Sequence, residues 1–72
     1  MTQNEHIERH LKKYGSITTM EAFTEYGITR ISARIFELRK NGMNISDRWE
    51  TKKNRFDEPV RYVRYTLEER ND

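Results

Sequence analysis

The sequence has no cysteine, and among its 72 residues it has one proline and three glycines. Without cysteine the chain has no disulfide, no thiol nucleophile and no cysteine-ligated zinc site. No apolar run approaches the roughly 20 residues that cross a membrane, and the N-terminus lacks the apolar segment of a signal peptide. We therefore expect one domain over residues 1–72, with a core at about 3–67, a frayed tail at 68–72 and a cytoplasmic location.

A strong charge of one sign is also missing, since the net charge at pH 7 is only +2 although 36% of the residues are charged. The charges are unevenly distributed along the chain. The segment from Thr29 to Arg64 has ten Lys and Arg residues against five Asp and Glu residues. A basic segment in so small a chain is what a one-sided phosphate-binding surface requires.

Helical periodicity dominates the first half of the chain. Ile7, Leu11 and Tyr14 recur at steps of four and three, which predicts a helix from Thr2 to Tyr14 with these three residues on its buried face. Gly15 is in the position that commonly ends a helix.

A second, shorter helix is predicted directly afterwards. Thr18 and Glu21 have the spacing of a capping box, and the helix runs to about Tyr26. Met20 and Phe23 are its apolar positions, and we expect Met20, like Met43 later in the chain, to fill the core.

A third helix is predicted over residues 29–41, with Thr29 as its N-cap and Gly42 as its end. Its buried stripe consists of Ile31, Ile35 and Leu38. We expect Phe36 to be half exposed and to pack against the hairpin or a partner subunit.

After the third helix the periodicity changes from 3.6 to 2. Alternating residues at 45–51 and at 63–67 predict two strands joined by a polar, basic loop at 52–59. Ser16–Thr18 is a possible short third strand. The predicted fold class is α+β: a winged helix-turn-helix domain with three helices followed by a two-stranded hairpin wing.

This arrangement predicts binding to double-stranded DNA. The recognition helix at 29–41 would lie in the major groove, and the basic wing at 52–55 would contact the backbone or the minor groove. The candidate DNA-binding residues are Thr29, Arg30, Ser32, Ala33, Arg34, Lys40, Arg48, Lys52, Lys53, Asn54 and Arg55. Arg61 and Arg64 on the second strand would extend the contact.

The run YGSITTMEAFTEYGITRISARIFELRKNGMNI resembles the small helix-turn-helix domain proteins of bacteriophage and prophage genomes. Its residues follow the pattern G-S-I-T-x-x-E-A from Gly15 to Ala22 and G-I-x-R-x-x-x-R-I-x-E-L-R-x-x-G-x-x-I from Gly27 to Ile45. The resemblance covers about residues 3–67 and is weakest over 49–59. It implies a DNA-binding protein with a role in transcription regulation, excision or replication.

Several candidate residues also have a purely structural interpretation. Arg34 and Arg39 flank the buried stripe of the third helix, so either can pair with Glu21 or Glu25 of the preceding helix. The segment 52–55 can equally be a solvated loop.

The two histidines have a spacing that suits a metal ion, because His6 and His10 are four residues apart on one helix. The chain has no third histidine or cysteine to complete a site, so we expect both side chains to face solvent. The sequence also lacks a paired acid and base, so we expect no enzymatic activity, no cofactor and no small-molecule substrate.

Two alternatives for partners remain open. A homodimer on a two-fold DNA site is one, since a single small domain offers limited contact area. The other is a protein–protein interaction module, such as a phage-borne inhibitor of a host protein, with Phe36, Tyr62 or Trp49 as its central contacts.

Overall fold

The computed structural model describes residues 1–68 and contains three helices and three strands. In chain order they are α1 (Gln3–Tyr14), β1 (Ser16–Thr18), α2 (Thr19–Tyr26), α3 (Ile31–Lys40), β2 (Ile45–Lys53) and β3 (Pro59–Leu67). The strands form one antiparallel sheet in the order β1-β3-β2. The predicted α+β fold is confirmed, including the short third strand. Of the predicted frayed tail, residues 69–72 lie outside the described residues.

Side-chain caps fix the starts of the first two helices. The Oγ1 of Thr2 accepts a hydrogen bond from the backbone N–H of Glu5 at 3.1 Å, and the Glu5 carboxylate accepts one from the backbone N–H of Thr2 at 3.1 Å. Thr18 and Glu21 repeat the arrangement at 3.1 and 2.8 Å. Both capping boxes supply acceptors for N–H groups that have no partner within the helix.

The third helix begins later than the sequence predicts. Its N-cap is Arg30, without a side-chain cap bond, and Asn41 rather than Gly42 is its C-cap. The predicted cap at Thr29 is therefore wrong. The preceding Ile28 is only 1% exposed, and its N–H bonds back to the Ala22 carbonyl at 3.0 Å. Thr29 and Arg30 lead the chain out of this buried position, so α3 begins only at Ile31.

The core lies between the helices and one face of the sheet. Its buried residues are Ile7, Leu11, Ile17, Ala22, Ile28, Ile31, Ile35, Leu38, Ile45 and Tyr65. The predicted stripe of α3 is confirmed, and Met43 packs against this core as a partly buried residue.

Three apolar side chains that we expected inside are exposed. Met20 and Phe23 are 62% and 56% exposed, and Ala22 is the buried residue of α2. Met20 and Phe23 are 200° and 100° around the helix from Ala22, so they point away from the core. Tyr14 is 63% exposed, because it is the last residue of α1.

His10 is buried at 6% exposure, which contradicts the expected solvent-facing position. Its Nδ1 lies 2.7 Å from the hydroxyl of Tyr26 on α2, so the buried ring has a hydrogen-bond partner. His6 stacks on the same tyrosine at 5.2 Å between ring centroids. Burial raises the pKa of the Tyr26 hydroxyl above its usual value.

The position of the hairpin follows from the turn after α3. Arg39 donates to the Ile45 carbonyl and to Asp47 Oδ1, both at 2.9 Å, which ties the end of α3 to the start of β2. The pairing of Arg39 with Glu21 or Glu25 that we expected as an alternative is therefore wrong. Ten helical residues span about 15 Å and nine strand residues about 30 Å. The hairpin is therefore long enough to extend well beyond α3.

Candidate nucleic-acid interface

A groove of about 1010 Å³ lies between α2, the start of α3 and the hairpin. We call it the wing groove; its lining includes Met20, Phe23, Thr29, Trp49, Lys52, Lys53 and Asn54. Because Thr29 lines the same groove as the end of β2, the hairpin runs past the N-terminal end of α3. The groove therefore brings together residues that are more than twenty positions apart in the sequence.

The groove exists because β1 covers only part of β3. β1 pairs with β3 from Arg64 to Thr66, whereas β2 pairs with it along its whole length from Pro59. The Oγ1 of Thr19, the first residue of α2, donates to the Val63 carbonyl at 3.4 Å. Beyond that contact α2 and the hairpin diverge, and apolar side chains line the space between them.

The wing tip is a short, ordered loop. The strands extend to Lys53 and resume at Pro59, so the loop covers residues 54–58 and is shorter than the predicted 52–59. The Asn54 Oδ1 accepts hydrogen bonds from the backbone N–H groups of Phe56 and Glu58 at 2.9 and 3.0 Å. Asn54, one of the candidate DNA-binding residues, thus uses its carboxamide oxygen to shape the loop that presents the neighbouring cations.

The cations of the wing differ in their partners. Lys53 lies 3.4 Å from Asp57, but both side chains are largely exposed, so this pair contributes little stability. Lys52 and Arg55 are exposed and form no ion pair among residues 1–68. The tip therefore offers three cations to an anionic partner.

One flank of α3 is covered by α1. Arg34 pairs with Glu37 at 2.9 Å, and Asn4 of α1 donates to the other carboxylate oxygen of Glu37 at 2.9 Å. The Arg34 side chain is only 28% exposed. The expected pairing of Arg34 with Glu21 or Glu25 is therefore wrong. Its guanidinium instead binds Glu37, the residue that also contacts α1.

The uncovered side of α3 carries a different set of residues. We call Ser32, Ala33, Phe36 and Lys40 the free face of α3; Ala33 is partly exposed and the other three are exposed. Ser32, Phe36 and Lys40 follow one another at steps of four and so lie one above the other. Arg30, just before the helix, is also exposed and forms no ion pair within the described part of the chain.

Two further arginines belong to the sheet. Arg64 donates to both carboxylate oxygens of Glu50 at 3.0 Å and to Ser16 Oγ at 2.9 Å. Hydrogen bonding to Arg64 lowers the pKa of Glu50, and the same contact raises the pKa of Arg64. Arg48 lies 3.4 Å from Glu50. Arg64 holds the strands together, so it is not free to extend a DNA contact.

The structure thus separates the candidate residues into groups. Those that line the wing groove are Thr29, Lys52, Lys53 and Asn54, together with Arg61 and Arg64 of β3. Those that are accessible on or beside α3 are Arg30, Ser32, Ala33 and Lys40. Arg55 is exposed at the wing tip. Arg34 and Arg48 have carboxylate partners.

Sequence reasoning named Trp49 and Tyr62, which line this groove, but missed the apolar side chains that α2 contributes to it. Met20 and Phe23 line the groove, and Arg61 lies over the Trp49 ring at 4.9 Å from its centroid. One signal was available, since Ala22 and Tyr26 are four residues apart and define a stripe that excludes Met20 and Phe23. A helix of eight residues can bury only one narrow side.

A helix pair joined by a tight turn, followed by a hairpin beside the start of the second helix, defines a winged helix-turn-helix domain. The sequence profile of the winged helix-turn-helix domain family matches residues 2–70, and the chain belongs to this family. Helix-turn-helix domains typically bind DNA, with the second helix of the pair in the major groove. No curated protein and no solved structure matches the chain.

A membrane-spanning helix and a metal site each have a structural requirement, and residues 1–68 meet neither. No helix in this range is long and apolar enough to cross a membrane. The same range has no group of three or more His, Asp or Glu side chains arranged to hold a metal ion.

Proposed function

We propose that this protein binds double-stranded DNA, with the free face of α3 in the major groove and the wing tip on the flanking backbone or minor groove. The observation that carries the proposal is that Thr29, at the start of α3, lines one groove with Lys52 and Lys53 of the wing. The residue that precedes the exposed Arg30 therefore borders the same groove as two cations of the wing. Phosphate contacts of this kind supply much of the affinity for duplex DNA.

The geometry supports major-groove entry by α3. Its free face begins with the small residues Ser32 and Ala33, so the backbone can approach base edges closely. Arg30 precedes them and has no ion pair among the described residues. A helix fits the major groove, which is about 12 Å wide. The wing would then place its cations on phosphates beside that groove.

We further propose a regulatory role, as a phage or prophage transcription regulator or an excision or recombination accessory factor. This finer proposal is supported by the resemblance between residues 15–45 and small helix-turn-helix proteins of phage genomes. A homodimer on a two-fold site is the corresponding proposal for assembly, because one domain of this size offers limited contact area.

The test is binding of a labelled random-sequence duplex at salt concentrations between about 50 and 200 mM. If Arg30, Lys52, Lys53 and Arg55 each neutralise one phosphate, log K falls with log salt at a slope of about −4. Lys12→Ala, which removes an exposed cation of α1, is the matched control and leaves the slope unchanged. No binding at the lower salt concentration would contradict the proposal.

A second candidate function is protein binding, which the exposure of Met20 and Phe23 in the wing groove favours. The cations that border the groove select a partner segment with apolar and acidic side chains. Affinity for such a partner depends on apolar contact, so it would persist at salt concentrations that abolish DNA binding. Salt dependence therefore separates the two functions.

A further inference from the structure

Phe36 is an aromatic side chain with no partner in the core. It is 63% exposed at the centre of the free face of α3, one helical turn after Ser32 and one before Lys40. The Lys40 Nζ lies 5.8 Å from the centroid of its ring. Phe36 does not line the wing groove.

Its position restricts what it can contact on DNA. A phenyl ring has no hydrogen-bond donor or acceptor, so it gains affinity only from an apolar surface. In the major groove the bases present hydrogen-bonding edges and one apolar group, the C5 methyl of thymine. When α3 enters the major groove with its free face towards the bases, the Phe36 ring can therefore make an apolar contact only with thymine.

We propose that Phe36 is a specificity-determining residue that contacts thymine methyl groups, so the DNA target contains thymine opposite the middle of α3. This inference rests on the proposed DNA binding. Ser32 contacts the DNA one helical turn before Phe36, Arg30 contacts it just before the helix begins, and Lys40 reaches the phosphate backbone one turn after Phe36.

Removing the methyl group alone tests the contact. Duplexes selected from a random pool by the wild-type protein are amplified with either thymidine or deoxyuridine triphosphate, which gives two pools of the same sequences. The wild-type protein is expected to bind the uracil pool about fourfold more weakly for each methyl group contacted. Phe36→Ala is expected to bind both pools equally, at the affinity that the wild type has for the uracil pool.

Phe56→Ala is the matched control, because Phe56 is 77% exposed in the wing-tip loop rather than on α3. It should retain the preference for the thymine pool. Circular dichroism checks that both variants are folded. We expect them to be, because Phe36 and Phe56 are exposed.

The outcomes separate this inference from the proposed function. Salt-dependent binding with equal affinity for both pools overturns the role of Phe36 and leaves DNA binding intact. A thymine preference that survives in Phe36→Ala overturns it as well. Failure of both pools to bind overturns the two proposals together. Dimer dissociation on Phe36→Ala, with an unchanged preference for thymine, would assign the ring to a second copy of the chain.

Discussion

At the scale of single residues, Arg64 joins more elements than any other side chain described above. Its guanidinium bonds to Glu50 on β2 and Ser16 on β1, and it lies 4.0 Å from Glu21 on α2. Both the Arg64 and the Glu50 side chains are less than one-third exposed. An ion pair in this position is screened less by water than one at the wing tip.

This contact predicts how the domain responds to acid. Because Arg64 lowers the pKa of Glu50 below its ordinary value of 4.5, the contribution of the pair to folding is complete above that value. It is lost as the pH falls through the lower pKa of the folded state. Glu50→Gln should therefore be less stable than wild type at pH 7, with a difference that shrinks as the pH falls below about 4.

Urea unfolding at pH values from 7 to 3 measures this difference. Glu25→Gln is the control, because Glu25 is exposed and forms no ion pair within residues 1–68; it should follow the wild-type curve. An equal loss of stability for Glu50→Gln at every pH would show that the charge of Glu50 is not the cause.

A second residue-scale prediction compares two arginines only four positions apart. Arg30→Ala should weaken DNA binding by about 1–3 kcal/mol if the side chain contacts a base. Arg34→Ala should change affinity much less, because Arg34 is already paired with Glu37 beneath α1. Equilibrium binding of both variants to one selected duplex measures the contrast, and equal losses would mean that the covered flank also faces DNA.

At the scale of elements, α2 and α3 differ in how much they bury. α3 contributes Ile31, Ile35 and Leu38 to the core, whereas α2 contributes only Ala22. The stability of α2 depends on its caps and on the turn that leads to α3, since propensity alone does not maintain eight helical residues.

This difference predicts opposite results for two truncations of similar size. Leu38→Ala removes a side chain that is 4% exposed and should cost roughly 2–5 kcal/mol of unfolding free energy. Met20→Ala changes a side chain that is 62% exposed and should stay within about 0.5 kcal/mol of wild type. Thermal and urea unfolding measure the free energy of unfolding of both variants. A large loss of stability in Met20→Ala would mean that Met20 faces the core, contrary to the orientation of α2 in the structure.

At the scale of the whole molecule, the proposed DNA binding depends on two segments that are distant in sequence but border one groove. The hairpin that carries one of these segments is continuous, because β2 pairs with β3 along its whole length. The two hydrogen bonds that the Asn54 carboxamide oxygen accepts keep the wing-tip loop at 54–58 compact. DNA is therefore expected to meet a surface whose two halves are already positioned.

The double variant Lys52→Ala with Lys53→Ala tests this common surface. Its salt slope should be shallower than that of wild type by up to about 2, because two phosphate contacts are lost. Lys12→Ala with Lys13→Ala removes the same charge from α1 and should keep the wild-type slope. Equal slopes for the two double variants would indicate that the wing does not touch DNA.

The sequence by itself determined the order and the type of the elements. The capping box of Thr18 and Glu21 and the alternation from Ile45 to Thr51 are local signals, and the structure confirms the helix start and the strand that they predict. The buried stripe of α3 was also predictable, because helical period depends only on the angle between successive residues.

Only the tertiary structure decided which surfaces remain free. Periodicity identifies the side of a helix that is buried, but it does not say which neighbour covers the remaining flanks. Asn4 and Glu37 place α1 over the Arg34 flank of α3, and this leaves Phe36 exposed. The exposure of Met20 and Phe23 has the same origin, because the divergence of α2 and the hairpin depends on contacts between residues that are far apart in sequence.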